Sequence, residues 1–228
     1  MKKKLSQIMF KRYYNATQQL PEYNPSAEFN WIRTESHLPW LKLNIEIPTD
    51  IMLKEILTVE SLMVPHRDEY AEHQGWFSFC IHGKSYNATR EESHYQDNCP
   101  YIWTPEASKY MPNTVKYFQQ WPALLFRRIR IMLLEPGGYI TIHRDYDHNC
   151  LSAINIAITQ PNDCAFVMEN HGVVPFERGS AIWMNLSNNH VVFNNSNQRR
   201  WHIIVHQTFD FNFQNLVVNS YKKLYNKL

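Results

Sequence analysis

The stretch PGGYITIHRDYDHNC, residues 136–150, places an imidazole and a carboxylate two positions apart, His143 and Asp145, at the end of a run with strand character. On an extended chain, residues i and i+2 point to the same side, so both groups aim at one point. An imidazole and a carboxylate converging in this way can ligate a divalent metal, and two histidines with one carboxylate make the facial triad of non-haem Fe(II) oxygenases. The set needs one more histidine. His190, 45 residues after Asp145 and at the start of another strand-like run, can supply it. Three coordination positions then stay open, enough for a bidentate keto acid and O₂ to meet on one iron. The far carboxylate of such an acid needs a cationic anchor. Arg200, ten residues after His190, offers a permanently charged guanidinium that can bind it through two nitrogens. Strand alternation puts Arg199 on the opposite face, and His202, Ile204 and His206 on the face of Arg200.

Groups spread over residues 143–200 need a rigid frame to converge, and the chain after Trp121 has the texture of one. Strand-like runs at 127–134, 139–143, 152–158, 164–169, 180–186, 190–193 and 200–209 follow one another. The turn-formers PGG (136–138), QPND (160–163), NHG (170–172), ERG (177–179) and NNSN (194–197) separate them. Seven short strands without intervening helices predict an antiparallel sandwich or barrel, not an α/β sheet. Upstream, residues 1–39 carry no sustained period and are punctuated by Pro21, Pro25 and Pro39, so they read as an irregular lead-in around the core. LKLNIEI (41–47) alternates like a half-buried strand, stopped by Pro48. A helix follows over about 50–63, capped by Thr49 and Asp50 and ended by Pro65, and GWFSFCIH (75–82) reads as a strand. The polar segment 84–121 has prolines at 100, 105 and 112 and room for one short helix near 112–120, and it is the expected source of a lid or substrate loop. The tail 215–228 suits a terminal helix. The expectation is a single domain, with an N-terminal wrap of one strand and one helix over 1–75, a β core over 76–210 and a helical tail over 211–228.

Composition removes several other functions. The chain has 228 residues, 44% of them apolar and 14% aromatic, which is ample for a large core and excludes disorder as the main state. Twenty-three basic side chains against 21 acidic ones give a formal charge of +2 and no electrostatic case for nucleic acid. Six glycines and the absence of GxGxxG or GxxxxGK[ST] argue against a nucleotide-binding loop. The cysteines at 80, 99, 150 and 164 form no CxxC pair and read as small buried hydrophobes in a reduced, cytoplasmic setting. Lys11 and Arg12 interrupt the N-terminal apolar run, and no segment approaches the roughly 20 apolar residues of a membrane span. The expectation is thus a soluble, unsecreted protein without a membrane partner. Its oligomeric state is left open by the sequence.

From about Arg128 to His206 the sequence resembles the 2-oxoglutarate and Fe(II)-dependent oxygenases, specifically the aspartyl/asparaginyl β-hydroxylase-like branch. The resemblance rests on the PGG turn, His143, Asp145, the Asn149–Cys150 pair, Gly179, His190 and Arg200, and more weakly on GWFSFCIHG at 75–83. It implies a double-stranded β-helix, a cupin-like jelly roll, in agreement with the strand count. It also implies Fe(II) on His143, Asp145 and His190, and 2-oxoglutarate held through its distal carboxylate by Arg200. Protein hydroxylases of the branch lack the carboxylate ligand, so Asp145 places this chain with the small-molecule-like members and favours hydroxylation over halogenation. Where those enzymes use an Arg and a His to help hold 2-oxoglutarate, this chain has Ala153 and Asn155, and Asn155 is the expected second donor to the keto acid. The reaction implied is hydroxylation of an unactivated C–H bond of an amino acid, an amino-acid-like metabolite or a peptidyl side chain, with succinate and CO₂ as co-products. Two competing readings keep the same metal site: a cupin-type metalloenzyme that does not use 2-oxoglutarate, and a metal-binding sensor module without turnover.

Further side chains have weaker claims. Trp183 and Asn185, on the strand before His190, are candidate pocket walls, as are Arg128, Arg130 and Met132. His66, Arg67, His82 and Lys84 could recognise substrate, against ordinary core-edge or surface roles. Asp147 and His148 lie close enough to compete as ligands, but His148 has the opposite parity and both lie in a turn, which favours a supporting or exposed role. His202 and His206 have HxxxH spacing without the glutamate of a zincin, so they read as hydrogen-bonded sheet histidines.

Overall fold

Leu125–His143 forms one 19-residue strand in the computed structural model of the chain, which describes residues 1–66, 73–88, 100–145 and 147–226. The elements in chain order begin with α1 (Lys2–Tyr13), α2 (Phe29–Thr34), β1 (Trp40–Leu43), α3 (Thr49–Thr58), β2 (Val64–Pro65), β3 (Gln74–Gly83) and β4 (Ile102–Trp103). They continue with α4 (Pro105–Tyr110), α5 (Pro112–Gln119), β5 (Leu125–His143), β6 (Ala153–Ala157), β7 (Cys164–Met168) and β8 (Gly172–Val173). The last are β9 (Ala181–Met184), β10 (His190–Asn194), β11 (Arg200–Thr208) and α6 (Phe211–Tyr225). The first half of β5 pairs with β3 and β11 and its second half with β10, all antiparallel, so this strand crosses from one leaf of the barrel to the other. One leaf reads β1-β9-β6-β11-β5-β3 and the other β5-β10-β7-β8. This mainly antiparallel jelly roll, flanked by helices, is a double-stranded β-helix.

The PGG segment, expected as a turn between two strands, is instead a bend within β5. Gly137 takes φ +73°, and a Cβ on Gly138 would stand 2.8 Å from the Glu135 carbonyl oxygen and 3.0 Å from that of Gln74. Only glycines let the strand fold back this tightly while it keeps both partners.

Alternation sorts the large leaf into two faces. Ile129, Ile131 and Leu133 of β5, Trp201, Ile203 and Val205 of β11, Ile154 and Ile156 of β6 and Trp183 of β9 join one apolar cluster with side chains of α2, α3, α5 and α6. The intervening residues, among them Arg128, Arg130, Met132 and Leu134 of β5 and Arg200, His202 and Ile204 of β11, face the barrel interior beside Ala157, Phe166, Met168, Phe176, Ile182 and Met184. The helix α1 covers the small leaf, where Met9 packs with Tyr139, Ala165, Val167, Val191 and Phe193.

Several boundaries differ from the sequence expectation. Residues 1–39 hold two helices. The first docks through Met9, Phe10 and Tyr13 and through Ser6, whose buried Oγ accepts from the Ile142 N–H at 2.8 Å, while the apolar Leu5 and Ile8 stay exposed and blur the period. Strand β1 stops at Leu43, beyond which the Asn44 N–H turns to Ser220 Oγ at 2.9 Å. The predicted 50–63 helix ends at Thr58 and continues as a single 3₁₀ turn, Glu60–Leu62. The tail helix begins at Phe211, ahead of the apolar run from 215 on, because Asp210 caps it by accepting from the Phe213 N–H at 2.7 Å. In the 84–121 segment, α5 lies where expected and α4 is an addition capped by Thr104, while residues 89–99, on which the lid expectation partly falls, lie outside the described residues.

Candidate metal and keto-acid site

Antiparallel pairing of β5 with β10 sets His143 directly opposite His190, which brings their rings to 4.2 Å between centroids. Each imidazole is oriented by its own backbone. His143 Nδ1 donates to the Thr141 carbonyl at 2.7 Å and His190 Nδ1 to the Asn188 carbonyl at 2.9 Å, so both tautomers leave Nε2 as a bare acceptor. Past the end of β5 the Asp145 N–H donates to the Leu186 carbonyl at 2.9 Å, which ties the turn to the segment before His190. The Asp145 carboxylate then lies 3.5 Å from His143 Nε2. Ligand atoms of His143, Asp145 and His190 all fall within 4.8 Å of one another. Atoms bound at about 2.1 Å and at right angles on one ion stand roughly 3 Å apart, so this set needs only a small contraction to hold one. Phe166 stacks on the His190 ring at 4.9 Å and 16°. Burial, with the neighbouring His143 second, pushes the His190 imidazole down to about 4, which keeps it neutral and available as a ligand at physiological pH.

Deeper in the same interior lies Arg200, 4% exposed, its guanidinium over the Phe176 ring at 5.6 Å. Its Nε donates to Gln160 Oε1 at 3.4 Å, whereas the buried Nη2 has no hydrogen-bond partner among the described residues. A buried guanidinium nitrogen without an acceptor is costly unless a ligand satisfies it, and a carboxylate is the group that fits. Asn155, expected to donate to the keto acid, has its amide 2.7 Å from His202 Nδ1, while His202 Nε2 lies 3.1 Å from Gln160 Oε1. The residues present therefore suit Fe(II) and 2-oxoglutarate: three ligands at one point and an unsatisfied cation in the same cavity.

The remaining sequence candidates separate cleanly. Arg128 and Arg130 are buried on the interior face, and Arg130 Nη1 lies 3.3 Å from Nε2 of the buried His66. Arg130 pairs across the sheet with Ile204, four residues from Arg200, a distance of about 13 Å along the strand. His82 is packed against Trp103 and Phe126, and burial pushes it down to about 4. Lys84 lies over Tyr101, and Arg67 is outside the described residues. Trp183 is not a pocket wall. Pairing of β9 with β6 sets it opposite Ile154, turning its ring outward against Phe29, Phe209 and Phe213, and Ile182 and Met184 face the cavity instead. Asn185 holds the ligand-bearing turn by donating to Asn149 Oδ1 at 2.6 Å. Asp147 and His148 are exposed, with Asp147 paired to Arg144 at 2.9 Å. Arg199, as expected, points outward, to Glu60 and Glu135. The Cys80 thiol donates to the Ala88 carbonyl at 3.1 Å, and Cys150 and Cys164 are free thiols. His73, which carries no local signal in the sequence, also stands near the site: its Nδ1 accepts the Thr141 N–H at 3.1 Å and its ring is 5.8 Å from that of His143. Only strand pairing, Gln74 opposite Tyr139, brings it there.

Residues 50–208 match the family model of the aspartyl/asparaginyl β-hydroxylases. The chain belongs to that family. Its members are 2-oxoglutarate-dependent hydroxylases, and the chain is accordingly an Fe(II)- and 2-oxoglutarate-dependent oxygenase that uses O₂. No curated protein matches it in sequence. Among solved structures, it is similar at 13% identity to a prolyl hydroxylase from Trichoplax adhaerens bound to a hypoxia-inducible-factor degradation-domain peptide, with a TM-score of 0.47 over 82% of this chain and 90% of that one. A prolyl-4-hydroxylase from Pseudomonas putida is 12% identical, with a TM-score of 0.44 over 75% and 94%. A 2-oxoglutarate-Fe(II) oxygenase family oxidoreductase from Burkholderia pseudomallei is 13% identical, with 0.41 over 69% and 89%. No helix among the described residues of this β-hydroxylase family member is long and apolar enough to cross a membrane.

Proposed function

We propose that the protein hydroxylates an unactivated C–H bond of an amino acid, an amino-acid-like metabolite or a peptidyl side chain, with His143, Asp145 and His190 holding Fe(II) and Arg200 holding the distal carboxylate of 2-oxoglutarate. The observation that carries this reading is the sharing of one barrel interior by three convergent ligand atoms and the unsatisfied Nη2 of Arg200. Bound there, iron, 2-oxoglutarate and O₂ supply the oxidising power, leaving succinate and CO₂ as co-products. The chain's own residues bind, orient and keep out water. The Thr141 and Asn188 carbonyls fix both ligand tautomers, and Phe166 and Phe176 wall the cavity with apolar rings.

Substrate with a carboxylate of its own suits the opposite end of the interior, where Arg128 and Arg130 line the wall. At about 13 Å from Arg200 along the strand, Arg130 is too far away to share the carboxylate of one keto acid. This favours a free amino acid or similar metabolite over a peptidyl residue. The test is succinate formation by the purified protein supplied with Fe(II), 2-oxoglutarate and a panel of amino acids. Fe(II)-dependent succinate that rises with one panel member and is lost in Arg200→Ala is expected. Iron binding that is indifferent to 2-oxoglutarate would move the reading to a cupin-type enzyme, and turnover at background with every panel member would favour a sensor module.

A further inference from the structure

We infer that Gln160 is a positioning residue for Arg200, locked in place by His202, so that the selectivity of the site for a dicarboxylic keto acid depends on a side chain in the turn between β6 and β7. This rests on the proposal that Arg200 anchors the distal carboxylate.

Both ends of the Gln160 amide are committed. Its Nε2 donates to the Cys164 carbonyl at 2.5 Å, and its Oε1 accepts from Arg200 Nε at 3.4 Å. Turning the amide over would set an N–H₂ group against a guanidinium and another oxygen against the Cys164 carbonyl, so its orientation is fixed. The same Oε1 lies 3.1 Å from His202 Nε2, which therefore carries a proton. His202 is wholly buried, and burial and the charge of Arg200 hold it well below the ordinary imidazole range, so it is neutral and has that one proton only. Its Nδ1 is then an acceptor. The amide of Asn155, whose Oδ1 position is 2.7 Å away, satisfies it by turning its N–H₂ inward, a rotation between two groups of equal size. Asn155 thus serves the keto acid through His202 and Gln160 as well as through any contact of its own.

The guanidinium is held at three places. Gln160 holds Nε, the Phe176 ring lies under the guanidinium at 5.6 Å, and β11 fixes the backbone, while Nη2 is buried and without a hydrogen-bond partner among the described residues. Without Gln160, the guanidinium turns about its last rotatable bond and the two-nitrogen grip on a carboxylate is lost part of the time. A keto acid without a distal carboxylate is indifferent to this.

The test measures dissociation constants of 2-oxoglutarate and of pyruvate by anaerobic calorimetry on the full-length, Fe(II)-loaded protein. Gln160→Met, similar in length and unable to accept, is compared with Arg200→Gln and wild type. The expected result is a weakening of 2-oxoglutarate by about tenfold in Gln160→Met, the size of one hydrogen bond to a charged group, with pyruvate unchanged. Unchanged pyruvate binding also shows that the variant is folded with its metal site intact. If Gln160→Met weakens both acids equally, or neither, while Arg200→Gln weakens 2-oxoglutarate alone, Gln160 has no positioning role and the keto-acid assignment survives. If Arg200→Gln alters neither acid, the keto-acid assignment fails and takes this inference with it.

Discussion

The two faces of the large leaf are built from the same strands and carry opposite contents. On the outer face Trp183 stacks on Phe29 at 5.7 Å and meets Phe213 edge-on at 5.4 Å, within a cluster of fully buried apolar side chains shared with the helices. On the inner face, one residue away on each strand, Arg200, His202, Asn155 and Arg130 are buried among apolar neighbours; Gln160 bridges Arg200 to His202, His202 meets Asn155, and Arg130 meets His66. Buried polar groups of this kind cost stability unless they are satisfied, and apolar burial on the other face offsets that cost. The fold thus separates what holds it together from what it does by strand parity alone, and substitutions on the two faces should have separable effects.

The largest effect is expected inside. His190→Ala removes one of the three proposed ligands, and turnover should fall to background, by more than about a thousandfold, with little change in the melting curve of the metal-free protein. Metal content and succinate assays check this, and near-normal turnover in the variant would break the separation. On the outer face Phe213→Ala, at a fully buried aromatic position, should cost about 3–5 kcal/mol of stability in denaturant titration. Below its melting temperature the variant should still bind one iron per chain. The smallest effect concerns pH. His82 is held down to about 4 by burial, whereas the unfolded chain takes up that proton near 6.5. Between these values the unfolded state binds more protons, so His82 contributes stability above about pH 6.5 that is lost as pH falls towards 4, at up to about 1.4 kcal/mol per pH unit. His82→Leu should flatten that part of the stability curve, and an unchanged slope would assign it to other groups.

What the sequence made legible was the part governed by short spacing. The parity of Arg199 and Arg200 follows from the period of a strand, whereas Asp145 lies past the end of β5 and meets His143 through a turn tied to Leu186. The strand runs from 127 onward were legible because turn-formers bound them. Parity without a second reference is not legible: Trp183 is a candidate pocket wall by alternation, and only the pairing of β9 with β6 sets it outside. Glycine pairs mark turns and strand bends alike, and the continuing ladder with Gln74 opposite Tyr139 makes the PGG segment a bend in β5. His73 and Gln160 reach the site by pairing and by a turn, neither of which leaves a local signal. The docking face of α1, Ser6, Met9, Phe10 and Tyr13, leaves no clear period because the apolar Leu5 and Ile8 beside it are exposed.

The most direct test of the central claim, that one cavity holds iron and a keto acid, is an anaerobic titration of the apoprotein with Fe(II) and then 2-oxoglutarate, followed by visible absorption. A weak charge-transfer band that appears on adding the keto acid, is absent in His143→Ala and needs far more 2-oxoglutarate in Arg200→Ala is the predicted result. Iron binding without the band would contradict the keto-acid site, and failure to bind iron would contradict the triad itself.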